Sequence, residues 1–245
     1  MTMDHNAFRG HLIVAEGTDG SGKSTAMSLL DSWLTAQGIP VYRTAWNSSS
    51  FIKPIMRHVK KKEWLSPAAF SLLHASDFYD RYHRLILPRL EAGYVVLADR
   101  WVYTAWVRDT VRGLDLPWVQ SLYQGVREPD LAIYFSAPPD VAISRIKHAA
   151  RELKYYESGQ DISGLHDRWA SFLWFQEKMR QAYLALADQG ILQLFDATLS
   201  ITDQQKVLRQ WLRPILESYW QQSDFFQAPA DDTTSSITSI KKGDF

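Results

Sequence analysis

The densest run of chemically suggestive residues is Gly17-Thr18-Asp19-Gly20-Ser21-Gly22-Lys23-Ser24, followed by Thr25. Its glycines, lysine and serine fall at the spacing G-x-x-x-x-G-K-[ST]. Polyphosphate is densely charged, and a chain holds it by wrapping backbone N–H groups around it. Glycine permits so tight a wrap, and the helix that follows turns its positive end toward the anion. In such a loop Lys23 reaches the β- and γ-phosphates of ATP, and the Ser24 hydroxyl ligates Mg²⁺. The metal needs a carboxylate as well. Asp99 ends an apolar run, where a Walker-B acid stands relative to such a loop, and Arg100 follows directly. A guanidinium at that strand end is suited to clamping a second phosphate bidentately.

This chemistry works only if a buried strand precedes the loop and a helix follows it. The run 11–16 (HLIVAE) supplies the strand. Ala26, Met27, Leu30, Trp33 and Leu34 then recur at three- and four-residue steps until Gly38 and Pro40 stop the pattern. Four further runs, 40–46, 94–99, 131–137 and 191–196, are almost continuously apolar, as in parallel strands covered on both faces. Helical segments are predicted over 67–92, 116–125, 139–150, 165–189 and 199–222. Strands alternating with helices specify an α/β protein of the P-loop NTPase fold, a parallel sheet with helices on both faces.

Composition excludes several other classes. The chain of 245 residues balances 27 basic against 27 acidic groups, so no net field draws it to nucleic acid or to an anionic membrane. It has no cysteine, which removes disulfides, thiol catalysis and cysteine-based zinc sites. No apolar run approaches a membrane span, and residues 1–10 lack a signal-peptide core, so cytoplasmic residence is expected. Residues 1–10 read as an N-terminal extension, 11–222 as the catalytic domain, and the polar 223–245 as a flexible tail. The Lys60-Lys61-Lys62 run reads as a solvated face, and Trp46 and Trp101 stand at strand ends, where ligands bind.

The chain resembles the thymidylate kinases. Glu16 to Thr25 is similar to their EG-x-DG-x-GKST, and Leu72-Leu73, Gly93, Asp99-Arg100, Pro129-Asp130-Leu131, Pro138-Pro139 and Asp196-Ala197-Thr198 follow the family's order. The resemblance implies a five-stranded sheet, a mobile lid at about 145–168, and ATP- and Mg²⁺-dependent phosphoryl transfer to a nucleoside monophosphate such as dTMP. It implies that Asp19 approaches the acceptor's sugar hydroxyl and that Arg100 holds its phosphate. Members with glycine after that aspartate, as Gly20 here, supply the catalytic arginine from the lid. Arg151 is the expected residue, with Lys154, Lys147 and Arg168 as further lid bases and Arg145 on the ATP side. A homodimer is left open.

The departures gather at the acceptor site. The family's R-E-P-G-G-T turn is replaced by Arg43-Thr44-Ala45-Trp46-Asn47-Ser48-Ser49-Ser50. Where the family places a phenylalanine and an arginine on thymine stand His74 and Phe78, and its later tyrosine and glutamine fall at Arg108 and Asp109. Thr104 keeps a hydroxyl where the family has serine. His74, Phe78, Thr104 and Arg108 are thus the expected acceptor contacts, with Asp19 and Arg100. The altered set leaves open a different nucleotide or nucleoside acceptor, or a switch that binds ATP without transfer.

Overall fold

The computed structural model describes residues 9–148, 152–217 and 219–220. Arg151, the expected tail and nearly all of the expected N-terminal extension lie outside these residues. All five apolar runs are strands: β1 (His11–Glu16), β2 (Val41–Ala45), β3 (Val95–Asp99), β4 (Leu131–Ser136) and β5 (Gln193–Asp196). They form one parallel sheet in the order β2-β3-β1-β4-β5. The pairing Ala15↔Asp99 brings the C-terminal ends of β1 and β3 side by side. The glycine-rich loop therefore leaves the sheet beside Asp99 and Arg100, at the edge where open α/β sheets bind ligands.

Alternate strand residues point to opposite faces, and both faces are covered. Leu12, Val14, Val96, Ala98 and Tyr134 pack on one side with Phe78, Tyr82, Trp101, Phe175 and Tyr183. Ile13, Ala15, Leu97, Ile133 and Phe135 pack on the other with Met27, Leu30, Leu34, Leu208 and Leu212. The second group belongs to α1 (Lys23–Thr35) and to the last helix, Ile201–Leu212. Continuous apolar strands are the sequence trace of this two-sided burial.

Besides the four-residue helix Gln160–Ser163, two helices lie outside the segments predicted from sequence. One is α2 (Ile52–Lys62), which buries only Met56 and so shows little apolar periodicity. The predicted segment 67–92 is a single run made of α3 (Pro67–Arg81), a π-helical turn (Tyr82–Ile86) and α4 (Leu87–Glu91). The widened turn stands just before Pro88, whose ring cannot join a regular i→i−4 ladder. The other unforeseen helix is α5 (Val102–Val111). It has no local side-chain cap; its start is held by Glu16, a residue distant in sequence. Then come α6 (Leu116–Ser121), α7 (Pro139–His148), the short α8 (Gln160–Ser163), α9 (Arg168–Asp188) and α10 (Ile201–Leu212).

Candidate active site

The glycine-rich loop has the backbone its motif calls for. Gly20 and Gly22 adopt φ of 78° and 92°, in the left-handed region that side chains disfavour. A Cβ on Gly20 would also stand 2.4 Å from the Ala142 carbonyl oxygen, so the loop has no room for another residue there. Gly22 caps α1, and Lys23 begins it. The Lys23 ammonium folds back across the loop, donating to the Thr18 carbonyl at 2.7 Å and to Ser21 Oγ at 3.1 Å. Burial, and then Arg100, lower its pKa to about 8, against the opposing pull of Asp99, Asp19 and Glu16. An arriving polyphosphate would favour the charged form. The Ser24 hydroxyl donates to Asp99 Oδ2, so the two expected metal ligands already meet at the mouth of the loop.

Arg100 is held in a strained conformation. Its φ of 76° is unusual for a residue with a side chain, and surrounding bonds fix it there. Its N–H donates to the Ala15 carbonyl at 2.9 Å, Nη1 to the Gly17 carbonyl at 2.9 Å and Nη2 to Asp19 Oδ1 at 2.5 Å. Burial opposes its charge, but Asp19, Tyr183, Asp99 and Glu16 more than compensate and hold its pKa above the usual guanidinium range. Beneath it lies the fully buried Glu16. That carboxylate accepts from the N–H groups of Trp101 (2.7 Å) and Thr104 (3.1 Å), from Thr104 Oγ1 (2.5 Å) and from the Tyr183 hydroxyl (2.9 Å). Burial raises the Glu16 pKa. Its side chain ties β1, α5 and α9 together under the catalytic edge. The sequence shows Glu16 only as a member of the motif; this bracing role needs contacts that are 88 and 167 positions away.

Two cavities open on either side of Asp19 and Arg100. One, of about 500 Å³, runs over Gly20, Gly22, Lys23, Ser24 and Thr25 to Arg145 and Gln204. Arg145 donates to the carbonyls of Gly20 (3.4 Å), Ser21 (3.3 Å) and Ala197 (3.0 Å), so it bridges the loop to the Asp196-Ala197-Thr198 stretch. The other, of about 250 Å³, is walled by Trp46, Lys60, Phe70, His74, Thr104, Arg108 and Tyr156, and by Gln176 and Met179 of α9. Among the described residues, only Asp19 and Arg100 border both.

The structure brings His74, Thr104 and Arg108 together on the second cavity, but not Phe78. Phe78 is fully buried in the core behind that wall, edge-on to Trp101 at 4.8 Å and stacked with Tyr82 at 5.9 Å. It lies behind the cavity residue Trp46, with ring centroids 5.8 Å apart. Trp101 is likewise core, only 1% exposed, whereas Trp46 does reach the cavity. Arg108 clasps Asp109 with Nε at 2.6 Å and Nη2 at 2.9 Å, lying over the Phe70 ring at 4.7 Å. The lysine run is not wholly a solvated face. Lys61 and Lys62 are exposed, but Lys60 turns inward, with its Nζ 3.0 Å from His74 Nε2. The helix α2 that carries it, unseen from sequence, is what delivers it.

The described residues of the expected lid segment are tied down from several directions. Arg112 donates to Asp161 at 2.7 Å and to the Tyr156 carbonyl at 2.7 Å, and the Tyr156 hydroxyl accepts from Leu65 N at 3.0 Å. Arg168 bonds Gln160 at 2.8 Å and the Leu153 carbonyl at 3.2 Å, a bracing geometry within the lid. Lys154 is 79% exposed beside Glu157 at 3.8 Å, and the Lys147 ammonium lies over Trp169 at 5.1 Å.

A glycine-rich loop joining strand to helix, a Ser–Asp pair at its mouth and an arginine on the facing strand end define a P-loop phosphotransferase. The thymidylate kinase family model matches residues 15–207. The chain is 44% identical over 182 residues to a protein of Saccharolobus solfataricus called probable thymidylate kinase 2, covering 74% of this chain and 85% of that one. It is 32% identical over 203 residues to a probable thymidylate kinase of Pyrococcus horikoshii, covering 80% and 92%. The chain belongs to the thymidylate kinase family and is a nucleotide kinase. Among the described residues no helix is long and apolar enough to cross a membrane.

Proposed function

We propose that this chain transfers the γ-phosphoryl group of ATP to the phosphate of dTMP, giving dTDP and ADP. The observation that carries this reading is the meeting of the two cavities at Asp19 and Arg100. A donor laid along the glycine-rich loop would present its γ-phosphate there, and an acceptor in the second cavity would present its own. Catalysis of phosphoryl transfer is chiefly positioning and charge neutralisation, so this convergence is the main requirement.

Each residue then has a distinct task. Lys23 spans the β- and γ-phosphates, Arg100 orients the acceptor phosphate and Asp19 faces the acceptor's sugar. Ser24 and Asp99 suit Mg²⁺. They are hard oxygen donors, and among the described residues no cluster of three or more His, Cys, Asp or Glu exists that would form a complete protein cage. An ion with so few protein ligands completes its shell with phosphate and water oxygens, as Mg²⁺ does. When bound, it supplies charge neutralisation at the β- and γ-phosphate oxygens. Arg145 holds the ATP side, and Arg151 is the proposed lid arginine at the transferring group. His74, Thr104 and Arg108 line the acceptor's place.

The test is dTDP formation from dTMP and Mg-ATP, with ADP appearing in equal amount. ADP release that does not depend on dTMP, or phosphorylation of thymidine but not dTMP, overturns the reading.

A further inference from the structure

Lys60 and His74 belong to a chain of hydrogen bonds whose proton positions follow from chemistry. Trp46 Nε1–H can only donate, and it lies 3.0 Å from His74 Nδ1. Nδ1 is therefore the acceptor, and a neutral imidazole must carry its proton on Nε2. Lys60 Nζ stands 3.0 Å from that nitrogen. An Nε2–H pointing at Nζ requires a lone pair there, which a neutral amine has and an ammonium lacks. Every assignment that charges Lys60 or His74 sets two donors against each other along this chain. In this chain of hydrogen bonds Lys60 stands as a neutral amine, held so by His74.

The surrounding charges agree. Burial first, then Arg108 of α5, Arg112 just past the end of that helix, and Lys154, with Glu157 opposing, bring Lys60 down to about 7. Burial, Arg108, Lys60, Arg112 and Arg81 hold His74 well below its ordinary value. Part of the arginine field is already spent, since Arg108 is paired with Asp109 and Arg112 with Asp161. The Lys60 side chain also lies over the face of Phe70, 4.7 Å from its centroid, a position that favours the charged form once a partner for it arrives.

We propose that Lys60 reads the base of the acceptor. As the acceptor binds, Nζ leaves His74 Nε2–H for a ring carbonyl and takes up a proton from solvent, so that no donor faces the ammonium. This rests on the nucleotide-kinase reading of the site. Lys60 shares its cavity with Asp19 and Arg100, which take the sugar and phosphate end, and it stands among the aromatic rings of Trp46, Phe70 and His74. A carbonyl accepts from an ammonium, whereas an amino group at the same point of the ring would confront donor with donor. Bases of the thymine and uracil type are favoured over cytosine on this ground. His74 is a positioning residue, because its Nε2–H fixes the amine before the base arrives.

The sign of the pH dependence follows. Binding that prefers the ammonium raises the Lys60 pKa above its free value. Preference for a carbonyl base is therefore greatest below about pH 7 and declines as the pH rises toward the bound value. The experiment measures kcat/KM for dTMP and dCMP with saturating Mg-ATP from about pH 6 to about pH 8.5, bracketing the Lys60 transition. Ionisation of the acceptor phosphate is common to both substrates and drops out of their ratio. The dTMP/dCMP ratio should fall several-fold across this range. Lys60→Met should lower it on the order of tenfold at the acid end and leave it flat. Lys60→Arg, permanently charged, should keep the ratio high and flat and shows that α2 tolerates substitution here. Calorimetry in two buffers of different ionisation enthalpy should show proton uptake on dTMP binding that Lys60→Met abolishes. Formation of dTDP with a pH-independent ratio that Lys60→Met leaves unchanged overturns the inference alone. Failure to form dTDP at any pH removes the acceptor reading and this inference with it.

Discussion

The two sides of the site are built in opposite ways. The donor side is one short stretch, Gly17 to Thr25, completed by a strand end at Asp99 and Arg100, and much of what it offers is backbone. The acceptor wall is assembled from the loop after β2 (Trp46), from α2 (Lys60), α3 (Phe70, His74), α5 (Arg108), the lid (Tyr156) and α9 (Gln176, Met179). It is made almost entirely of side chains. Phosphate groups are the same on every nucleotide, and a main-chain cradle for them depends on glycine conformation. Bases differ, and side chains that read them can be exchanged without disturbing the cradle. The motif by which the sequence resembles its family, Gly17 to Thr25, lies on the first side, and His74 and Arg108, read from sequence as departures from it, lie on the second.

Lys23→Ala puts the largest effect on the donor side. It should lower kcat on the order of 10²- to 10³-fold with unchanged circular dichroism, because the ammonium serves ligand rather than core. Near-native turnover in a folded variant would break the division at its root. Arg100, the boundary residue, allows a sharper test. Arg100→Gly and Arg100→Ala should both lower kcat/KM for dTMP on the order of 10²-fold while changing the KM for ATP little. The alanine variant should also be the less stable by about 1–2 kcal/mol in chemical denaturation, since only glycine adopts positive φ without strain. Equal stabilities would mean that the strained backbone relaxes once the guanidinium is gone.

The expected lid should separate into a catalytic and a binding role. Arg151→Ala should reduce kcat on the order of 10²-fold. Arg145→Ala should act mainly on the KM for ATP, on the order of tenfold, because its three contacts are to loop and Ala197 carbonyls. Steady-state kinetics with each substrate varied distinguishes them, and a reversed pattern exchanges their assignments. Smallest in activity is Phe78→Leu. It should cost about 1 kcal/mol of stability and leave the dTMP/dCMP ratio unchanged, because the ring is core and not wall. A shifted ratio with unaltered stability would return Phe78 to the acceptor site.

Residues that act through local geometry were legible before any fold was known. The glycine-rich motif announced its own turn, because a loop this tight needs glycine where φ is positive, and continuous apolar runs announced strands covered on both faces. Asp99 and Arg100 could be assigned to the ligand edge for the same reason, as they close one of those runs. The helices α2 and α5 were not legible. The first is a mostly exposed helix that buries only Met56 toward the core, and the second takes its cap from Glu16, which lies far away in sequence. Lys60 looked like one of three solvated charges and Phe78 like a base contact. Spacing along a helix could not say which would face the cavity, because the facing elements arrive from distant parts of the chain. The sequence by itself determined the parallel sheet and the phosphate cradle, both consequences of local backbone conformation and burial period. Tertiary structure decided which side chains meet around the acceptor, because those contacts depend on how separate helices pack over one sheet edge.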